Sequence, residues 1–345
     1  MPQFNISALV AEWGARYTNE GQTMKDIKAQ LFAPSETELF FSKRPTEGDY
    51  FKSAYATIDS VTQGFSIPFL PKSAGAYLPW ETRLGEFKVD DLFTPDQHRA
   101  SWAGFLANIQ EVDRSKWPVI KWWIQEMLIP KTHEEMEEDI AYYGWQKTAD
   151  GTAAIDGTTL VRVIAPNTTT KANTAMNGLK HTFVRMVAAG RCNVINTGAL
   201  AAGDVDFVTQ VENFVQDIDP ALRKKCDFLF MSTANKNKYR RGRRAKYNTN
   251  YLQEADLLEV DNSNIKVQDL HSMGNSDKIW TTPERNRIMP IHKDNTGVFD
   301  VQKADRSVKI LNDWKKVITF DVPEFVVTND RDNTFTAGNI TALYS

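Results

Sequence analysis

The feature that most constrains the fold lies near residue 120. Ile120, Trp123, Ile124, Met127 and Leu128 recur at i, i+3, i+4, i+7 and i+8, one apolar stripe along an amphipathic helix. Pro130 interrupts the run. Thr132 followed by Glu135 then makes a capping box that restarts a helix, with Met136, Ile140 and Tyr143 opposite Glu134, Glu137 and Glu138. The spacing predicts a kinked helical rod from Ser115 to Gly144, and such a stripe needs a body to cover it. The chain can supply one, with 345 residues of which 41% are hydrophobic and 25% charged, enough for one large domain or two to three smaller ones.

Before the rod, residues 1–55 read as an arm. A short amphipathic helix is expected from Ile6 to Tyr17 on Leu9, Val10 and Trp13, but the rest is polar, is broken by Pro34, Pro45 and Gly48, and is expected to lie on a partner. Between residues 60 and 107 the pattern changes to short strand-like runs, Phe65–Leu70 and Glu86–Val89, separated by Gly75, Pro79, Gly85 and Pro95. That reads as a projecting hairpin, with an ordinary surface excursion as the alternative. After the rod, Gly151 and Gly157 mark a turn, and Thr159–Ile164 a strand.

Residues 170–280 alternate helix and strand. Met176, Leu179, Phe183, Met186 and Val187 line a helix that stops at Gly190, and Val194–Asn196 is extended. Asp204 is expected to cap a helix that buries Phe207, Val211, Phe214, Val215 and Ile218 and ends by Pro220. Cys226–Ser232 is a buried-strand run, and Ser232 or Thr233 can cap the basic helix after it. Strand patterning returns through Arg287–Ile291, Val308–Leu311 and Val317–Val322. The whole reads as α+β.

Chemistry that a sequence can display locally is missing. The histidines, His98, His133, His181, His271 and His292, are scattered, and His133-Glu134-Glu135-Met136-Glu137 carries Glu where a zincin needs its second histidine. There is no glycine-rich dinucleotide loop, phosphate loop or nucleophile elbow. Cys192 and Cys226 read as small buried residues in a reducing compartment. The chain nominates no catalytic, cofactor-binding or metal-binding residue and reads as no enzyme. A formal charge of −3 argues against a surface that coats nucleic acid or anionic membrane throughout, and no signal peptide or membrane span is read. Trp117, Trp122 and Trp123 lie at spacings that cannot all face inward along one helix, so one is expected to meet another segment or subunit.

One chemical feature is concentrated. Lys236, Lys238, Arg240, Arg241, Arg243, Arg244 and Lys246 fall within one stretch, preceded by Arg223-Lys224-Lys225. Three readings stand side by side: a solvated face, a contact to acidic residues of a neighbouring subunit, and a contact to nucleic-acid phosphate. Gly242 weakens the helix there, which suits a segment that adapts to a partner.

The order of parts resembles the major capsid proteins of tailed bacteriophages with the HK97-like fold. Glu134-Glu135-Met136-Glu137-Glu138-Asp139-Ile140-Ala141-Tyr142-Tyr143-Gly144, with Asp150-Gly151 and Asp156-Gly157, looks like the end of that family's spine helix and its glycine-rich exit. Cys226–Ser232 and the basic helix look like the axial domain's central strand and the helix after it. Asp261–Lys278, Arg287–Pro290 and Lys315–Glu324 look like the return into the peripheral domain. Pro130 departs from a continuous spine.

The resemblance implies an N-terminal arm (1–55), an extended hairpin loop (56–110), a peripheral domain with the spine helix (111–169), an axial domain (170–280) and a return with the C-terminal tail (281–345). It also implies a self-assembling structural protein of the virion, whose pentamers and hexamers form an icosahedral shell around double-stranded DNA, assembled in the host cytoplasm without cofactor or membrane. Scaffold, portal and decoration proteins would be further partners. An encapsulin-like nanocompartment shell and a nucleic-acid-binding protein using residues 236–247 are the alternatives.

Overall fold

The computed structural model describes residues 4–15, 22–31, 33–57, 62, 65, 75–144, 154–155, 160–161, 175–247, 258–294 and 299–333. The helices are α1 (Ile6–Trp13), α2 (Gln22–Leu31), α3 (Arg99–Ala107), α4 (Val119–Trp122), α5 (Ile129–Glu135), α6 (Leu179–Ala188), α7 (Asp204–Gln216), α8 (Pro220–Arg223) and α9 (Thr233–Tyr247). The strands begin with β1 (Ser42–Thr46), β2 (Tyr50–Thr57), β3 (Ala76–Arg83), β4 (Gly85–Phe93), β5 (Ala154–Ile155), β6 (Leu160–Val161), β7 (Asn193–Ile195) and β8 (Cys226–Met231). They continue with β9 (Lys266–Asp269), β10 (Trp280–Pro283), β11 (Arg287–His292), β12 (Asp300–Ala304), β13 (Ser307–Lys316), β14 (Thr319–Phe320) and β15 (Val327–Asn329). Beyond Phe65, the strand expected over Phe65–Leu70 lies outside the described residues, as do Gly151 and Gly157. Of the expected strand Thr159–Ile164, β6 is what is described.

Two sheets carry the molecule. In the six-stranded one, β13 lies between β4, antiparallel from Val308 opposite Phe93 to Lys316 opposite Gly85, and β12; β11 joins it at Ile291 opposite Lys316 and pairs parallel with β1 and antiparallel with β14. Alternation along β13 turns Val308, Ile310 and Trp314 inward and Lys309 and Asp313 outward. The five-stranded sheet has the order β7-β15-β10-β8-β9, with the apolar run Cys226–Met231 inside it, as its composition predicts. Expected strand Val317–Val322 shrinks to β14, because Val317 bonds back to Pro290 and Asp321 to Asn286.

The rod exists, with a different internal structure from that expected. It starts at Val119, after Pro118, and runs through Pro130 to Ile140 as α4, a π-helical stretch Trp123–Leu128, α5 and a second π stretch Met136–Ile140. The wider turns show in i→i+5 bonds, Ile129 N–H to Ile124 O and Ala141 N–H to Met136 O. Thr132 does not cap: its hydroxyl donates to the Leu128 carbonyl at 2.8 Å inside the helix. The π register also turns the face, so Met127 is 45% exposed while Val119, Ile120, Trp122, Ile124 and Ile129 are buried.

The described part of the N-terminal segment lies on its own chain. Ile6, Trp13, Ile27 and Leu31 join Trp122, Ile124, Phe93, Val308 and Ile310 in one apolar cluster. Ile27 and Leu31, four apart on α2, make a stripe that the polar residues around them obscure in the sequence. Thr37 is tied to the rod, donating through its N–H (2.9 Å) and hydroxyl (2.6 Å) to the buried Glu137, which also accepts from the Ser272 N–H at 3.1 Å. Trp117, Trp122 and Trp123 likewise pack within the chain, Trp123 stacked on Phe93 at 4.7 Å and Trp117 edge-on to Phe105 at 5.1 Å. All three find cover because α3 and the sheet flank the rod on different sides.

At its far end the rod hands its hydrogen bonds to α6. The amides of Gly178, Leu179 and Lys180 donate to the carbonyls of Gly144, Ala141 and Tyr142 at 2.8 to 3.0 Å, so two helix termini satisfy each other. Gly178 permits the approach: a Cβ there would lie 2.5 Å from the Tyr142 carbonyl oxygen.

Candidate functional site

The basic stretch forms most of α9, which packs across α7 over the five-stranded sheet. Tyr239 on its inner face is fully buried with Phe207, Val208 and Val211. Gly242 sits at the crossing, where a Cβ would come 2.0 Å from the Asp204 carbonyl oxygen. The glycine therefore marks a close helix contact, and its expected role in loosening the segment is replaced by one in packing.

The cations do not form one free patch. Lys236 pairs with Asp269 at 2.7 Å, Arg241 with Asp204 at 3.0 Å, and Lys246 with Glu212 at 2.5 Å. Lys238 donates to the Ala201 carbonyl and lies 5.0 Å from the Phe207 ring centre. Arg243 donates to the Glu259 carbonyl and to the Tyr239 hydroxyl at 3.0 Å. Arg223, upstream, is engaged by Gln216 at 2.8 Å. The hydrogen bond to Arg241 holds Asp204 below the usual carboxylate range. Arg240 is half-buried; Arg244 is exposed and shares an outer stripe with Asn237 and Arg241.

Three of the seven cations are thus neutralised by acidic residues of the same chain. The signal was present in the sequence, since Asp204 and Glu212 stand on the apolar-faced helix expected upstream of the basic one. What was missing was the knowledge that the two helices cross. Asp204 itself opens α7 without capping it; Gly203 holds the cap position.

The second candidate surface is the β2–β3 hairpin, paired over eight residues from Tyr50 opposite Arg83 to Thr57 opposite Ala76. One face of it is anchored: Trp80 and Thr82 are buried, Tyr55 meets Phe325 edge-on at 5.2 Å, and Arg185 lies 4.1 Å from the Trp80 ring centre. The opposite face is not, with Tyr77 80% exposed, and Phe65, between the two strands in sequence, is 98% exposed. Among the described residues these two strands pair with each other and with no further strand.

The other candidate groups are dispersed. Burial pushes both thiols, Cys192 and Cys226, up to about 11, which makes them poor nucleophiles. His133 contacts the Leu31 carbonyl at 3.2 Å and is half-buried at the joint between α2 and the rod. No group of three His, Cys, Asp or Glu side chains among the described residues could hold a metal, and no described helix is long and apolar enough to cross a membrane. Sequence reasoning missed Glu137, which sits in a run of acids that reads as a solvated face.

No family model and no curated protein matches the chain. Among solved structures it is similar to phage capsid chains over most of its length. A chain of the satellite phage P4 procapsid is 10% identical, covering 89% of this chain and 88% of that one, with a TM-score of 0.47. A chain from Mycobacterium phage Ogopogo is 11% identical over 86% and 92%, also at 0.47. A chain of a virus-like particle from Pyrococcus furiosus is 8% identical over 89% and 96%, at 0.44.

Proposed function

We propose that the chain is the structural subunit of a capsid-like shell. Copies would meet as pentamers and hexamers around double-stranded DNA, in a virion assembled in the host cytoplasm. The hairpin is the observation that carries this reading. A two-stranded ribbon that pairs with no further described strand and turns an aromatic side chain outward leaves apolar surface in water, and a neighbouring copy is the partner that would cover it. The order of parts in the sequence supports the same reading, from arm through hairpin and rod to the α/β unit.

In this reading the unit around the five-stranded sheet gathers at the capsomer axes, and the six-stranded sheet with the rod forms the peripheral part. On the same reading Arg240 and Arg244, with the outer side of the Asp204-bound Arg241, would touch phosphate weakly, while Lys236, Lys238, Arg243 and Lys246 serve the subunit's own fold. Scaffold, portal and decoration proteins are further proposed partners.

Negative-stain microscopy of the purified chain, alone and with a scaffold supplied, tests the reading. Rings or closed shells are the expected result, and replacing residues 58–75 by a two-residue Asn-Gly turn should abolish them while leaving a folded monomer. A chain that stays monomeric at high concentration under both conditions would overturn it.

A further inference from the structure

The β2–β3 ribbon has two lateral edges, and they are not alike. The Leu84 N–H donates to the Asp49 carbonyl at 2.8 Å, which continues the ladder by one pair and fixes its phase. Even-numbered residues of β3 therefore aim their backbone groups at β2, and Tyr77, Pro79, Glu81 and Arg83 aim theirs outward. On β2 the outward set is Tyr50, Lys52, Ala54 and Ala56.

The outward edge of β3 is occupied. Arg185, on α6, donates to the Glu81 carbonyl at 2.6 Å, and Arg191, just beyond that helix, donates to the Pro79 carbonyl at 3.0 Å and the Leu78 carbonyl at 3.2 Å. Pro79 has no N–H to offer. The two middle positions of this edge thus have both acceptors taken and one donor missing. Both guanidinium groups are themselves held, Arg185 over the Trp80 ring and Arg191 in an ion pair with the partly buried Glu324. Anchoring alone is served by the buried Trp80 and Thr82; the arginines act on the edge.

The edge of β2 carries no such devices. It has no proline, and among the described residues no further hydrogen bond reaches the backbone of Lys52, Ala54 or Ala56. Ala54 and Ala56 are exposed and too small to cover the main chain, and Lys52 lies 3.7 Å from Glu81 across the ribbon.

A bare edge accepts a strand through main-chain hydrogen bonds; an edge whose groups are already engaged does not. We propose that Arg185 and Arg191, together with Pro79, guard β3 against strand addition, so that an extended segment of a second copy joins the ribbon along β2 and is refused along β3. That the segment comes from a second copy rests on the shell reading; the closure of β3 does not.

Residue-resolved hydrogen exchange on the full chain, dilute and at high concentration, is the test, with Arg185→Ala/Arg191→Ala measured beside it. On association the amides of Lys52, Ala54 and Ala56 should gain about tenfold or more in protection, while those of Glu81 and Arg83 exchange as in the dilute chain. In the double variant Glu81 and Arg83 should gain protection as well. Protection at Glu81 and Arg83 in the associated wild-type chain, its absence there in an associated variant, or no gain along β2 overturns the proposal. A wild-type chain that never associates counts against the shell alone, and the guard is then read from the variant: larger species protected at Glu81 support it, and a variant that also stays monomeric overturns it. Should the double variant fail to fold, Arg185→Ala alone, which leaves Arg191 on Glu324, is read at Glu81 in the same way.

Discussion

β8 and the β2–β3 hairpin are both rich in aromatic and aliphatic residues, yet they end in opposite surroundings. In β8, Leu229, Phe230 and Met231 are fully buried, with strands on both sides and α7 and α9 packed over the layer. In the hairpin, burial alternates along β3: Trp80 and Thr82 face the subunit, while Tyr77, on the opposite face, is 80% exposed. Composition sets what a segment gains from burial; the elements packed above it set whether it is buried. The β8 layer therefore holds its own stability, and the hairpin's outward face has little within the subunit.

Three substitutions test that division. Phe214→Ala removes a 1% exposed ring from the α7 face of the β8 layer and should destabilise the chain by about 3–5 kcal/mol in denaturant titration. A loss below about 1 kcal/mol would show that the layer is not an independent core. Gly242→Ala places a methyl against the Asp204 carbonyl, and forcing α7 and α9 apart should cost about 1–3 kcal/mol despite alanine's better helix propensity. An increase in melting temperature would mean that the helices can separate freely. Tyr77→Ser should change monomer stability by no more than about 0.5 kcal/mol, while the yield of rings or shells in light scattering falls sharply. Equal assembly by the variant would remove the hairpin from the interface.

Legibility in the sequence follows the same division between local and non-local information. The buried face of α7, with Phe207, Val211, Phe214, Val215 and Ile218, is read correctly because helical periodicity is written within one segment. The strand at Cys226–Met231 and the helix end at Gly190, with φ 62°, are local in the same sense. The rod's face is misread at Met127 because a π turn changes the period, and nothing in an apolar stripe reports that change. The basic stretch is found, but its partners are not: Asp204, Glu212 and Asp269 are more than thirty residues away from the cations they neutralise, and only the crossing of α7 and α9 and the pairing of β8 with β9 bring them together. Gly242 illustrates the limit, since the residue is visible in sequence and the carbonyl it must admit is not.

The strand β1 has a consequence for the order of events during synthesis. Its parallel partner β11 lies 246 residues further along the chain, with Ser42 opposite Ile288. At about 5–20 residues per second of translation, β1 emerges from the ribosome roughly 12–50 seconds before β11 exists. Throughout that interval its backbone donors and acceptors are held by water, by a chaperone or by some other strand edge. Closing so long a loop makes the pairing one of the last to form, so the N-terminal segment that folds back onto the finished subunit is also the part left unpaired the longest.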